Sequence, residues 1–253
     1  MSLLEVRDLS VRFGGVVALD RVSFNVDAGQ VVALIGPNGA GKTTLFNVIT
    51  RVYRPSGGTV LVDGQPVLSL RPHQVIGHGV ARTFQNVALF RSMTVLENVQ
   101  VGNHIQVKTR WLEDAVPLPS SIRAEAACRS RALEMIDFVG ISSVAHRQVG
   151  ALPFGTQKRV ELARALVCRP RLVLLDEPAG GISHEEVDSI SKLLRRVHTE
   201  LGVTMLLVEH HMTFVMGISD RVVVLDFGRK IAEGAPAEVQ RNPAVIEAYL
   251  GAA

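Results

Sequence analysis

The sequence predicts an α/β protein with a mainly parallel core sheet. Two observations carry that expectation. Apolar runs of strand length at 31–35, 172–175, 206–208 and 222–225 lack polar alternation, as strands covered on both faces do. Between the second and third runs, Ile190, Leu193, Leu194, Val197 and Leu201 fall on one face of a helix over 185–201, so helices separate the strands. The 253 residues suit one large core with an inserted subdomain. Hydrophobic residues at 47% against charged residues at 20% exclude a largely disordered chain.

In chain order, the opening reads as antiparallel β structure. Val22, Phe24 and Val26 alternate with polar residues, and Asp27-Ala28-Gly29 turns the chain into the first buried run. Gly57-Gly58 and Asp63-Gly64 bracket 59–62 as a hairpin arm. From Thr94 to Asp137 strand runs vanish, and 124–138 is rich in good helix formers. The stretch 108–121 holds Pro117, Pro119 and paired serines and reads as a surface connection. Beyond it, strands and helices alternate again to the end.

Charge and composition narrow the function classes. Lys and Arg number 27 against 24 Asp and Glu, with no long run of one sign, so no nucleic-acid partner is expected. No apolar stretch approaches the roughly 18 residues of a spanning helix. Glu5, Arg7 and Asp8 stand where a secretory signal would be apolar. Cys128 and Cys168 are isolated, so they are expected to be unreactive thiols in a reducing cytoplasm. His73, His78, His104 and His146 lack metal-ligand spacing, and Trp111 reads as a packing residue.

Two motifs carry chemistry. Gly36-Pro37-Asn38-Gly39-Ala40-Gly41-Lys42-Thr43, followed by Thr44, matches G-x-x-x-x-G-K-[ST] between a buried strand and a helix. Its glycines let backbone N–H groups curl around phosphate oxygens, and the helix N-terminus adds positive potential. Lys42 is expected to reach the β- and γ-phosphates and Thr43 to hold Mg²⁺, so the chain is expected to bind a nucleoside triphosphate. The run 172–175 ends in Asp176 and Glu177. Alone, such a pair often marks a strand leaving for solvent; beside a phosphate loop, Asp176 suits Mg²⁺ and Glu177 the polarisation of an attacking water.

With these motifs in place, the chain resembles the ATP-binding subunits of ABC transporters along essentially its whole length. Arg82-Thr83-Phe84-Gln85 is similar to the family's Q-loop, followed by Met93-Thr94-Val95-Leu96-Glu97-Asn98-Val99. Leu152-Pro153-Phe154-Gly155-Thr156-Gln157-Lys158-Arg159 occupies the signature position, Val208-Glu209-His210 resembles the switch-histidine segment, and Phe13 the aromatic that stacks on adenine. The proline-aromatic-glycine signature and the tail from Glu238 to Gly251 resemble the importers of branched-chain amino acids.

The resemblance implies an ABC ATPase fold: a mainly parallel core sheet, an N-terminal antiparallel β subdomain, and an inserted helical subdomain at about 86–164 that carries the signature, all within one domain over 1–253. It implies ATP and Mg²⁺ as ligands, the latter held by Thr43, Asp176 and Gln85. Glu177, His210 and Gln85 become the expected catalytic residues, and Gly155 is expected to close on the phosphate loop of a second ATP-binding subunit. Helix formation is expected near Thr156. The implied partners are that subunit, identical or related, two membrane permeases and, through them, an extracytoplasmic substrate-binding protein. The implied location is peripheral, on the cytoplasmic face of the inner membrane. Leucine, isoleucine and valine are the favoured cargo, with urea or amides as the alternative. A soluble non-transport ABC ATPase usually carries two cassettes or a long coiled coil, and this chain has neither. A nucleotide-responsive module without catalysis fits poorly with the intact Lys42, Asp176, Glu177 and His210. A small-molecule kinase would leave the signature unexplained.

Several positions depart from the family pattern. Pro153 replaces the signature serine and removes a hydroxyl donor, Phe154 and Thr156 replace Gly and Gln, Ser183 replaces an Asn, His211 replaces an acidic residue, and Arg51 replaces a Gly. A weaker subunit closure is expected from Pro153, and a weaker contact across the dimer from Ser183.

Overall fold

The computed structural model describes residues 1–83, 87–103 and 119–250. The chain divides into two compact units, one formed by Met1–Arg82 with Arg171–Ala253 and the other by Thr83–Pro170.

The first unit contains two sheets. Strands β1 (Ser2–Phe13), β2 (Val16–Asp27), β4 (Gly57–Val62) and β5 (Gln65–Pro66) form an antiparallel sheet in the order β2-β1-β4-β5. The second sheet orders β10 (Arg229–Gly234), β9 (Arg221–Asp226), β3 (Val31–Ile35), β8 (Thr204–Val208), β7 (Leu172–Asp176) and β6 (Val80–Arg82) side by side. Only β10 runs antiparallel to its neighbour. The antiparallel start and the parallel core thus follow the sequence reading. Every residue of β3, β7 and β8 is buried, the physical counterpart of the unbroken apolar runs.

Helix α1 (Lys42–Ile49) follows β3 and buries Leu45, Phe46, Val48 and Ile49 in a core shared with Leu4, Leu9 and Leu19 of the antiparallel sheet. Each such side chain contributes roughly 1.5–3 kcal/mol on burial, so the two sheets and α1 stabilise one another. Arg51, just past α1, has φ +64°, a left-handed conformation that explains the family's glycine there. Its guanidinium donates to the Leu70 carbonyl at 3.1 Å. Helix α6 (His184–Leu201), preceded by the short α2 (Pro72–Val75) and by the helices of the other unit, turns its apolar stripe inward, with Ile190, Leu193, Leu194 and Val197 buried and Leu201 exposed. Helices α7 (Met212–Ile218), α8 (Pro236–Gln240) and α9 (Pro243–Leu250) complete the unit.

The second unit packs α3 (Val95–Asn103), α4 (Pro119–Phe138) and α5 (Phe154–Leu166) against one another. Thr94 caps α3 reciprocally with Glu97: the Thr94 N–H donates to the Glu97 carboxylate at 2.7 Å, and the Glu97 N–H donates to Thr94 Oγ1 at 3.2 Å. Asn98, fully buried, donates to the carbonyls of Phe90 and Thr94 and accepts from the Phe90 N–H. These bonds give the Thr-Val-Leu-Glu-Asn stretch a structural purpose. Gly102 lets α3 approach α5 closely, since a Cβ there would stand 2.1 Å from the Arg164 carbonyl. Helix α4 begins at Pro119, so the end of the expected 108–121 connection is the helix's first turn; proline is well suited to such a start. Most of that connection, with Trp111 and His104, lies outside the described residues.

Candidate active site

Three strand tips stand side by side at one edge of the parallel sheet. β3 leads into the glycine loop, its neighbour β8 into Glu209 and His210, and the next strand, β7, into Asp176 and Glu177. In a parallel sheet the carboxyl ends of the strands share one edge, which is where such folds bind ligands.

The glycine loop is shaped by close backbone neighbours. Gly36 has φ +150°, and a Cβ on it would stand 2.0 Å from the Leu225 carbonyl oxygen. Gly41, the N-cap of α1, has φ +100°, with Ala18 and Leu19 of β2 packed against it. The turn between β9 and β10 supports the loop from the other side: the Gly228 N–H donates to the Ala40 carbonyl at 3.1 Å. Pro37 is half-buried, Asn38 and Gly39 are exposed, Ala40 is buried, Thr43 is exposed and Thr44 is half-buried. Lys42 Nζ donates to the Gly36 carbonyl at 2.5 Å and the Pro37 carbonyl at 2.9 Å, so the ammonium lies across the loop it follows. Burial lowers its pKa, and the nearby carboxylates of Glu177 and Asp176 oppose that shift.

Asp176 is almost fully buried and accepts from Arg82 Nη2 at 2.8 Å. Arg82 also donates to Asn47 Oδ1 of α1 and to Oγ1 of Thr50, the helix's C-cap, and lies over the Phe46 ring. Arg82 thus ties β6, α1 and the β7 tip together. Glu177 has φ +49°, a left-handed conformation held by its N–H donating to the Val208 carbonyl at 2.9 Å. Its carboxylate Oε1 is 3.6 Å from His210 Nδ1. Next to His210, Glu209 is fully buried and accepts backbone N–H groups from both tips.

Oxygen donors from Thr43 and Asp176 suit Mg²⁺, which keeps an oxygen shell and is usually completed by substrate phosphates. Among the described residues no group of three or more His, Cys, Asp or Glu side chains is placed to hold a metal ion. Phe13 is 46% exposed, and its ring meets that of Tyr53 edge to face at 5.1 Å between centroids. Tyr53 at this position is an aromatic the sequence reading did not single out.

The departures from the family pattern take structural form here. Ser183 caps α6: its Oγ accepts the Glu186 N–H at 3.4 Å while its own N–H donates to the Glu186 carboxylate at 3.0 Å, so serine fills the capping role as an Asn would. His211 is the N-cap of α7 and makes no side-chain cap bond. In the second unit, Pro153 is the N-cap of α5 and likewise has no side-chain cap bond. That helix starts at Phe154, two residues before the expected Thr156; Gly155 is buried in its first turn, and Lys158 lies over the exposed Phe154 ring. Gln85 and Phe84 lie outside the described residues.

The structure therefore groups the glycine loop, Lys42, Asp176, Glu177 and His210 at one sheet edge. Sequence reasoning assigned no role to Arg82 or Glu209, although both sit inside motifs it used. Their signal was a charged residue directly beside or within a buried run, the same signal that pointed to Asp176.

A phosphate loop between a buried strand and a helix, with acidic and histidine-bearing tips beside it, defines a P-loop nucleotide-binding protein. Comparison with known proteins narrows that class. Residues 19–180 match the family model described as ABC transporter, and residues 229–253 the one described as branched-chain amino acid ATP-binding cassette transporter. The chain is 43% identical over 251 residues to the high-affinity branched-chain amino acid transport ATP-binding protein BraF of Pseudomonas aeruginosa, covering 99% of this chain and 98% of that one. Identity and coverage are the same for the high-affinity branched-chain amino acid transport ATP-binding protein LivG of Escherichia coli. Among solved structures, a nucleotide-free ATP-binding cassette from an ABC transporter superposes with a TM-score of 0.86 at 31% identity, covering all of both chains. The ADP conformation of an ATP-binding cassette gives 0.85 at 30% identity. The chain belongs to the ABC transporter family and is an ATP-binding cassette ATPase of its branched-chain amino acid type.

Proposed function

We propose that this ATPase powers the import of leucine, isoleucine and valine, with the glycine loop binding ATP and Glu177 acting as the base that activates water. The observation that carries the catalytic reading is the Glu177–His210 pair, 3.6 Å apart on adjacent strand tips. Backbone N–H groups of the loop cradle the phosphates, and Lys42 neutralises charge that develops on them. Thr43 and Asp176 would hold Mg²⁺, which would supply charge neutralisation at the phosphate oxygens. Glu177 draws the proton from water, His210 steadies that water and the terminal phosphate, and Phe13 stacks on adenine. Gln85 is assigned to sensing Mg²⁺ and water on its motif alone.

The partners proposed are a second ATP-binding subunit, whose signature glycine meets this chain's loop as Gly155 meets the other's, and two permeases fed by an extracytoplasmic binding protein. Attachment is proposed to be peripheral, through the permeases and on the cytoplasmic face; among the described residues no helix is long and apolar enough to cross a membrane. The names of the relatives support branched-chain amino acids as cargo.

Two experiments test this. In the assembly purified from its own cell, Glu177→Gln is expected to retain ATP binding and lose at least about 100-fold in kcat; near-normal turnover overturns the role given to Glu177. Deletion of the chain is expected to abolish uptake of labelled leucine and leave urea uptake unchanged. The reverse pattern overturns the cargo.

A further inference from the structure

Hydrolysis by Glu177 and His210 leaves the carboxylate of Glu209 without a task. Glu209 is fully buried directly beyond β8. Its Oε1 accepts the Ala179 N–H at 2.7 Å, on the segment that follows Glu177. Its Oε2 accepts the N–H groups of His210 at 3.0 Å and His211 at 3.2 Å. Among the described residues no cationic side chain lies within ion-pair distance of it, so three backbone donors hold a buried charge.

Burying a carboxylate is costly, and a neutral side chain would be the cheaper way to tie one loop. The chemistry explains the choice. Only a carboxylate presents acceptors at both ends; a glutamine would turn its NH₂ toward one of the two loops and set donor against donor. The bonds are charge-assisted, and therefore stronger and shorter than neutral ones. Gly180 donates back to the Glu177 carbonyl at 3.0 Å, so the segment gripped at Ala179 also closes on Glu177.

We propose that Glu209 is a positioning residue for ATP hydrolysis: its carboxylate brackets the loop after Glu177 to the loop that carries His210 and keeps that pair in register. The inference rests on the proposed roles of Glu177 and His210. It predicts that Glu209 acts on turnover through His210 and leaves nucleotide capture, at the glycine loop, largely alone.

The test uses the complete assembly and steady-state ATPase kinetics. Glu209→Gln is expected to lower kcat about 10-fold or more and to change the KM for ATP less than about twofold. In a His210→Ala background the same substitution is expected to cost less than about twofold, because the residue it positions is already gone. Equal losses in both backgrounds, or wild-type kcat in Glu209→Gln, overturn the bracket. Should Glu209→Gln fail to fold, Glu209→Asp carries the same two comparisons: it keeps both acceptors but is shorter by about 1.5 Å and cannot span both loops. Glu177→Gln, assayed alongside, separates the two readings. Normal turnover there overturns the proposed site itself, whereas a large loss there with equal Glu209 losses in both backgrounds overturns the bracket alone.

Discussion

At the scale of single residues, the buried Arg82–Asp176 pair has the largest expected energetic consequence. Side-chain exposures of 7% and 4% mean that removing either partner takes the nearest counter-charge from a desolvated group. Arg82→Met is therefore expected to destabilise the first unit by about 3–5 kcal/mol in urea unfolding. Adding Asp176→Asn to that variant should recover part of the loss, because the buried carboxylate that lost its guanidinium is then neutral. A double variant no more stable than the single would show that the Asn47 and Thr50 bonds, not the ion pair, dominate. Cys168 offers a pH test. Burial raises its thiol from 9.0 to about 11, so between those values the unfolded thiol ionises while the folded one stays neutral. The unfolded state then binds fewer protons, and stability is lost as pH rises through that window. Cys168→Ala is expected to flatten the decline in melting temperature between pH 9 and 11, and maleimide should label Cys128 well before Cys168 in the folded chain.

At the scale of elements, the glycine loop is fixed by its neighbours as much as by its own residues. Gly36→Ala drives a Cβ into the Leu225 carbonyl, a backbone atom that cannot swing aside. A loss of at least about 3 kcal/mol and of ATP binding is expected. Gly39 has φ +83° but nothing within 4 Å of a would-be Cβ, so Gly39→Ala should cost only about 1–2 kcal/mol. Equal losses in the two variants would contradict this account. The contrast also shows what was legible in the sequence. The motif spacing identified the loop, and unbroken apolar runs identified β3, β7, β8 and β9, because burial on both faces leaves a local trace. That Leu225 sits over Gly36, or that Arg82 reaches Asp176, depends on pairings between distant segments, which no local pattern encodes. The start of α4 was misplaced because Pro119 reads as a breaker until it is seen to occupy a first helical turn, where its missing N–H costs nothing. Arg51 is the converse case: the sequence marked it as odd, and only its φ of +64° says why.

For the whole molecule, the proposed work is done by a pair of subunits, and the signature helix is the part that differs most from the family pattern. Pro153 supplies no side-chain cap to α5. Pro153→Ser adds a hydroxyl at that N-cap, which typically stabilises a helix start by about 1 kcal/mol. It is expected to raise ATP-dependent association of the two ATPase subunits, measured by sedimentation of the Glu177→Gln form. Unchanged association and turnover would mean that closure does not depend on a donor at that position.

The position of β3 in its sheet also dictates a timetable. Its two neighbours, β8 and β9, are encoded about 170 residues or more downstream, which at the usual 5–20 residues per second is on the order of 10–35 s of synthesis. Throughout that interval Val31-Val32-Ala33-Leu34-Ile35 is an apolar strand with neither edge paired, the kind of segment that nascent-chain chaperones shield. The phosphate loop, hung from the end of that strand and braced by Leu225 and Gly228, cannot take its final shape until those two residues have been translated. A ribosome that stalls between β8 and β10 would leave a chain that carries the whole glycine motif yet cannot hold a nucleotide.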